Sequence, residues 1–159
     1  MSTSDRFRAA ARALGLDPDV HRFPDGTKTA QDAARAIGCA LGQIVKSLVF
    51  MAGETPVLVL TSGANRVDTD ALAGLCGATE ARRATPEEAH AATGYAVGGT
   101  PPFGHPATVP AFVDEDLLKF EVVWAAAGTP DSVFPLSPAD LVRLAEARPA
   151  RFAETPPRG

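Results

Sequence analysis

The segment at residues 94–105, GYAVGGTPPFGH, could present backbone N–H groups to a reacting carbonyl. Gly98 and Gly99 let a ligand approach the main chain, and the two prolines that follow Thr100 fix φ and stiffen the loop. A row of amides at Gly98, Gly99 and Thr100 can stabilise a developing oxyanion or hold a phosphate. The alternative interpretation is a tight turn between two strands, since Gly and Pro are common turn residues.

Lys46 is the second group that could take part in chemistry. It lies in the apolar run IVKSLVF at residues 44–50, where burial of an unpaired ammonium is costly. The side chain must therefore reach water, pair with a carboxylate or face a polar cleft. His105 follows the Gly/Pro loop, where it could line a cleft or lie on the surface.

Other catalytic motifs are missing from the sequence. It contains no G-x-S-x-G nucleophile elbow, no Walker loop, no G-x-G-x-x-G fingerprint and no H-E-x-x-H zinc motif. Cys39 and Cys76 lack the spacing of a CxxC or Cys/His site, so a metal is not expected. An amide-lined oxyanion site and one lysine remain, and they suit the attack of water on an activated ester.

Composition sets the broad class of the protein. With 159 residues and 45% apolar content, residues 1–159 suit one globular domain. From about residue 149 onward the sequence has no periodicity, which predicts a flexible, frayed tail. A net charge of −4 argues against a broad footprint on nucleic acid, so any RNA contact should be local. No leader or membrane span is recognised, which predicts a cytoplasmic protein without a membrane partner.

Short helices and strands must position these groups. Predicted helix starts are Asp5, Thr29, Asp68 or Thr69, Thr85 and Ser137. Apolar, β-branched runs predict strands at 47–51, 57–60, 109–113, 121–127 and 133–136. Because only residues 52–56 separate the first two strands, we expect an antiparallel hairpin there. The pattern predicts an α+β domain around a mixed or antiparallel sheet.

Three motifs together resemble the YbaK-type aminoacyl-tRNA deacylases, which are relatives of the editing domain of bacterial prolyl-tRNA synthetases. They are IVKSL at 44–48, GANRVD at 63–68 and GYAVGGTPPFG at 94–104, and the likeness covers about residues 20–144. The resemblance implies an α+β fold whose core is a mixed, largely antiparallel sheet or partial barrel wrapped by short helices. It also implies a cleft that admits the aminoacylated 3′ adenosine of tRNA.

The resemblance assigns roles to particular residues. Lys46 matches a lysine that helps to hold the acceptor end, and Ser47 matches the Thr or Ser beside it. Gly98 and Gly99 match the glycines of a G-x-x-x-P loop that ends here at Pro102. The amides of this loop are implied to face the scissile ester carbonyl.

Further positions match the lining of the family's pocket, and some depart from its pattern. Phe23 and Thr29 lie where relatives line the pocket. Ala126 begins an Ala-Ala-Gly turn where close relatives have Ser-Gly-Gly, and Pro101 replaces a common serine in the loop. The segment at 105–108 lacks the lysines that some relatives carry there, which weakens any expectation of contacts to the RNA backbone.

The reaction implied by the resemblance is hydrolysis of the ester of a mischarged aminoacyl-tRNA. A freestanding trans-editing enzyme of this kind supports translation fidelity and uses no metal or organic cofactor. Its implied partner is the acceptor end of tRNA, and an aminoacyl-tRNA synthetase is a further candidate. Two alternatives stay open: a non-catalytic module that binds an acceptor end, a nucleotide or a synthetase, and a hydrolase of small amino-acid esters.

Overall fold

The computed structural model describes residues 2–25 and 29–155. In these ranges five α-helices pack around two β-sheets. The helices are α1 (Thr3–Ala13), α2 (Ala30–Ile37), α3 (Thr69–Cys76), α4 (Pro86–Thr93) and α5 (Pro138–Ala145). The strands are β1 (His21–Arg22), β2 (Val45–Ala52), β3 (Thr55–Ser62), β4 (Ala81–Arg83), β5 (Ala111–Asp114), β6 (Val123–Ala126), β7 (Ser132–Leu136) and β8 (Arg148–Ala150). Short 3-10 helices at Leu41–Gln43 and Glu115–Lys119 complete the elements.

The larger sheet is mixed and has the strand order β4-β2-β3-β5-β8. Strands β2 and β3 pair antiparallel from Val45 opposite Ser62 to Ala52 opposite Thr55, which confirms the predicted hairpin. Strand β5 then pairs with β3 in parallel, and β8 pairs with β5 in parallel. The α+β class with a mixed sheet is confirmed.

The smaller sheet has the order β1-β7-β6 and is antiparallel throughout. A single parallel bridge between Ile44 and Trp124 connects β6 to the start of β2. Over the described residues the two sheets stay open and do not close into a barrel.

Strand β3 is buried on both faces because each face packs against a different apolar cluster. Leu58 and Leu60 belong to a cluster that includes Phe7 of α1, whereas Val57 and Val59 belong to another on the opposite side. Successive side chains of a strand point to opposite faces, so a continuous apolar run fits this central position. The hairpin is thereby fixed in register and provides a rigid wall for the site.

Helix capping follows the sequence signals at four of the five helices. The side chains of Thr29, Asp68, Thr85 and Ser137 accept hydrogen bonds from backbone N–H groups of the first turn. The first helix begins earlier than expected, because Ser2 rather than Asp5 is its N-cap and accepts the Asp5 N–H at 3.0 Å. None of the described helices is long and apolar enough to cross a bilayer.

The expectation of a frayed tail from residue 149 is wrong for the described part of the tail. Residues 148–150 form an edge strand on β5, and Phe152 is buried at 1% exposure. Pro149 is tolerated because an edge strand does not need every N–H for pairing. A strand of three residues is too short to show periodicity in the sequence. Residues 156–159 lie outside the described residues.

Candidate active site

A cavity of about 530 Å³ lies where the two sheets separate. Beyond the Ile44–Trp124 bridge, no further pairing joins β2 and β6 among the described residues. Strand β4 pairs only with residues 50–52 of β2, so the first half of β2 has a free edge. The cavity lies against this edge and is closed by residues of β6, of α2 and α4, and of the glycine loop.

The structure brings together six of the nine site residues predicted from the sequence. These are Thr29, Lys46, Ser47, Gly98, Thr100 and Ala126, which all line the cavity. Gly99, Pro102 and Phe23 are not part of its lining. Pro102 instead lines a second cavity of about 450 Å³ beside α1, and Phe23 donates its N–H to the Asp131 carbonyl.

Lys46 presents a positive charge that no carboxylate neutralises directly. Its Nζ donates a hydrogen bond to the backbone carbonyl of Asn65 at 2.7 Å, and it forms no ion pair with any described residue. Burial lowers the pKa of Lys46 from its ordinary value, and the nearby charges of Arg83 and Arg66 lower it further. An incoming anion would relieve both effects.

Arg83 is a second cation of the cavity that sequence reasoning missed. It lies on β4, is exposed, and has its guanidinium carbon 5.9 Å from the Phe50 ring centre. Among the described lining residues, the charged ones are Lys46 and Arg83. The cavity therefore favours an anionic ligand. The only sequence signal is an Arg pair before α4, and its other member, Arg82, pairs with Glu88 at 2.8 Å.

Ser47 contributes unpaired polar groups to the cavity wall. The Gly63 N–H donates to the Ile44 carbonyl at 2.7 Å, and the Ala84 N–H donates to Val49 from the other side at 3.0 Å. Because peptide groups of an antiparallel strand alternate in direction, those of Ser47 share the direction of Val49 and face the cavity. The Ser47 Oγ is buried without a partner in the described ranges. Such unsatisfied groups are costly unless a ligand pairs with them.

The glycine loop forms a tight turn from Ala96 to Gly99. The Gly99 N–H donates to the Ala96 carbonyl at 3.1 Å, and the Thr100 hydroxyl donates to the same oxygen at 3.2 Å. Gly98 has φ +89°, the conformation that the third residue of a type II turn requires. Of the three amides that the sequence predicts to be free, the Gly99 N–H is therefore engaged, because it donates a hydrogen bond to Ala96. The amides of Gly98 and Thr100 have no hydrogen-bond partner among the described residues.

Gly99 is required for a different reason from Gly98. A Cβ at this position would lie 2.9 Å from the Cα of Thr129 and 3.0 Å from its carbonyl carbon. Thr129 is itself held in a turn, because its carbonyl accepts the Ser132 N–H and its hydroxyl contacts Asp131 at 2.7 Å. The loop is therefore packed backbone against backbone, which fixes the position of Gly98.

His105 supports the loop from behind and does not line the main cavity. Its Nε2 lies 2.7 Å from the Pro101 carbonyl oxygen, so this nitrogen carries the hydrogen and donates it. Burial lowers the pKa of His105 from its ordinary value, which favours the neutral ring. The two expectations for this residue, a cleft lining and a surface position, did not include this anchoring role, but a cleft lining is what the structure shows. It does line the second cavity, beside Pro102.

The remaining wall of the cavity is apolar and built largely from small side chains. Its alanines are Ala30, Ala33, Ala84, Ala89, Ala125 and Ala126. Trp124 provides the large aromatic surface, and His21 meets its ring edge-on at 5.2 Å between centres. Sequence reasoning placed Trp124 in a strand but missed its place in the wall. A small-residue wall beside an aromatic ring suits a ligand with a small side chain and a flat ring.

Comparison with known sequences agrees with this geometry. The family model for the aminoacyl-tRNA editing domain matches residues 24–144. The uncharacterised protein YwhH of Bacillus subtilis (strain 168) is 32% identical over 124 residues, covering 77% of this chain and 78% of YwhH. A proline–tRNA ligase of Nitratidesulfovibrio vulgaris (strain DP4) is 33% identical over 110 residues, covering 69% of this chain. The match spans only 18% of that ligase.

Comparison with solved structures extends the similarity to nearly the whole chain. A crystal structure of a proposed trans-editing enzyme for prolyl tRNA synthetase has a TM-score of 0.91 and 42% identity. The similarity covers 98% of this chain and 99% of that one. The fold described above is thus shared with that protein over nearly the full length of both chains. The chain belongs to the family of aminoacyl-tRNA editing domains.

Proposed function

We propose that this protein is a freestanding trans-editing deacylase that hydrolyses the ester of mischarged aminoacyl-tRNA. One observation carries the proposal: Lys46 and Gly98 line the same cavity, in a chain of the editing-domain family. Such an enzyme would act in the cytoplasm on the acceptor end of tRNA, alone or beside a synthetase. It would keep misacylated tRNAs out of translation.

Two cations support the binding of an acceptor end. Lys46 and Arg83 line the cavity, and the described lining carries no carboxylate that would repel a phosphate. Lys46 would hold the phosphate nearest the terminal adenosine, and the adenine would lie on Trp124. Stacking of a base on an aromatic side chain is sequence-tolerant and is worth about 1–3 kcal/mol per base.

The chemical step needs water, an oxyanion site and a leaving group. Water attacks the ester carbonyl carbon, the bond from that carbon to the ribose oxygen breaks, and a proton from water passes to the ribose oxygen. The Gly98 amide, with Thr100 beside it, would donate to the oxyanion, while Gly99 holds the turn. The described lining contains no carboxylate or imidazole to act as a base. An aminoacyl ester is activated enough for water to attack within a positioned complex.

The polar groups of Ser47 would bind the aminoacyl part of the substrate. Its peptide carbonyl faces the cavity and would accept a hydrogen bond from the α-ammonium group. Its buried Oγ has no other partner among the described residues and would pair with the same moiety. Thr29 and Ala126 would contact the side chain from the opposite wall.

The test is a panel of tRNAs esterified with non-cognate amino acids: alanine, serine, threonine, cysteine and non-protein amino acids. We expect multiple turnover on at least one member, measured as released free amino acid, while correctly charged tRNA stays intact. Release from none of them would contradict the proposal. Hydrolysis of simple amino-acid esters with no preference for tRNA would identify a small-ester hydrolase instead.

A non-catalytic binding module is the second candidate, and the engaged Gly99 amide favours it. With that N–H donated to Ala96, one oxyanion donor of the predicted pair is withdrawn. A module of this kind would bind a non-hydrolysable aminoacyl-adenosine analogue at the cavity. Binding without any turnover across the panel would establish it.

Replacing Arg83 with alanine should weaken substrate binding more than it slows the chemical step. We expect KM for the tRNA to rise about tenfold. The negative slope of log(kcat/KM) against log[salt] should become shallower by the contribution of about one phosphate contact. Arg82→Ala is the matched control, since it removes the same charge from the neighbouring position and Arg82 does not line the cavity. Equal effects of the two substitutions would show that Arg83 does not contact the substrate.

A further inference from the structure

Asn65 lies at the centre of a hydrogen-bonded network next to the cavity. Its Nδ2 donates both hydrogens, one to Asp114 Oδ2 at 2.9 Å and one to Asp116 Oδ2 at 2.8 Å. Its backbone carbonyl oxygen accepts a hydrogen bond from the Lys46 ammonium at 2.7 Å. One residue therefore connects two carboxylates to Lys46, one of the two cations of the cavity.

Asp114 anchors this network inside the protein. It is 2% exposed, and its Oδ2 also accepts the Ser62 N–H at 3.1 Å. A buried carboxylate needs such donors, because an unpaired buried charge is costly. The Asn65 N–H in turn donates to the Ser62 carbonyl at 2.9 Å, which closes the turn. The backbone N–H and the side chain of Asn65 are thus both hydrogen-bonded, which fixes the position of its backbone carbonyl.

Neither carboxylate of the network pairs with Lys46, and both accept hydrogen bonds from Asn65. Asp114 lies near enough to act on the Lys46 charge, yet no ion pair forms between them. Both carboxylates are occupied by Asn65, and Asp116 has a further partner in Lys119 at 2.8 Å. The ammonium therefore rests on a neutral backbone carbonyl, and Asp114 acts on its charge without a direct contact.

We propose that Asn65 is a positioning residue for Lys46. Its side-chain amide hydrogen-bonds the two nearby carboxylates. Its backbone carbonyl holds the Lys46 ammonium, so that the positive charge stays available for an anionic group of the substrate. This role rests on the proposed function of Lys46 in holding the acceptor end. Asn65 itself touches no reacting atom and does not line the cavity.

Asn65→Ala tests the role because it removes the donors that occupy both carboxylates, while the backbone carbonyl that accepts from Lys46 stays. We expect kcat/KM for the preferred aminoacyl-tRNA to fall about tenfold, mainly through KM, the size of one lost charge-assisted contact. Asp116→Asn alone should stay within about twofold, since its side-chain oxygen still accepts from Asn65. Asn65→Ala combined with Asp116→Asn should recover about threefold or more, because one competing charge is gone.

A second readout separates this role from the activity itself. The sequence contains three lysines, so NMR of lysine labelled at Cε gives few signals, and Lys46→Met assigns the relevant one. Titration should show that the pKa of Lys46 rises in Asn65→Ala and falls back in the double variant. If the wild type deacylates no substrate, the proposed function fails, whereas the titration still decides the positioning role.

The outcomes that overturn the proposal are specific. One is an unchanged Lys46 pKa in Asn65→Ala, and another is a double variant no more active than the single one. If Asn65→Ala does not fold, Asn65→Ser gives the same comparison with and without Asp116→Asn. A serine hydroxyl donates one hydrogen and so occupies only one of the two carboxylates.

Discussion

Replacing Lys46 with methionine is expected to lower kcat/KM for deacylation by about thirtyfold or more while the protein stays folded. Loss of one partner from a buried, hydrogen-bonded charge contact typically costs about 2–5 kcal/mol, which is about thirtyfold to several thousandfold. Methionine keeps the length of the apolar stem, so the change removes the charge and little packing. Initial rates on the preferred aminoacyl-tRNA, at several substrate concentrations, measure the effect.

The stability of Lys46→Met should not fall with its activity. The pKa of Lys46 is lowered in the folded state, so the unfolded chain binds the proton more tightly. This penalty on folding is fully present below the lowered pKa and disappears as pH rises above the ordinary value of 10.5. At neutral pH, Lys46→Met should therefore unfold at the same or a higher temperature. Arg12→Met, which removes a positive charge from an exposed side chain that lines neither cavity, is the control for activity. If Lys46→Met were inactive because it is unfolded, its loss of activity would not support a role for Lys46 in deacylation.

Gly99→Ala should nearly abolish the proposed deacylation although Gly99 does not line the cavity. The added methyl would meet the Thr129 backbone at 2.9–3.1 Å, so either the loop or the Thr129 turn must shift. Displacing a reacting group by about 1 Å can cost about a hundredfold in rate. We expect kcat to fall by that order, with a smaller change in KM. Single-turnover rates of deacylation test this expectation directly.

The matched control for this change is Gly74→Ala in α3. A Cβ at Gly74 would meet no atom within 4 Å, and alanine is the better helix former by about 1 kcal/mol. Full activity in Gly74→Ala and a large loss in Gly99→Ala are expected together. Wild-type rates in Gly99→Ala would mean that the loop can move without consequence, and that its amides do not form the oxyanion site.

Much of the fold could be predicted because local signals agreed with the tertiary structure. Thr85 is followed by Pro and Glu in a capping box, and the structure has this box with α4 behind it. The hairpin of β2 and β3 followed from a short loop between two apolar runs. Strands β4 and β8 could not be found, since each has three residues at a sheet edge. Only their neighbours in the sheet make them strands.

The candidate site could be predicted in part, for a similar reason. A lysine inside an apolar run is unusual enough to mark Lys46, and it does line the cavity with Gly98. The two glycines looked alike in the sequence, but one supplies a positive φ and the other permits a close backbone approach. Arg83 has no such local signal. Its place at the cavity depends on how β4 pairs with β2.

Trp124 is the single tryptophan of the chain, and it forms part of the cavity wall. Its fluorescence should therefore report directly whether the cavity is filled, without a dye or a label. Occupancy can then be measured in variants that do not turn over, such as Lys46→Met, and compared with the wild type at equilibrium. The protein thus carries its own optical probe, which separates loss of binding from loss of chemistry.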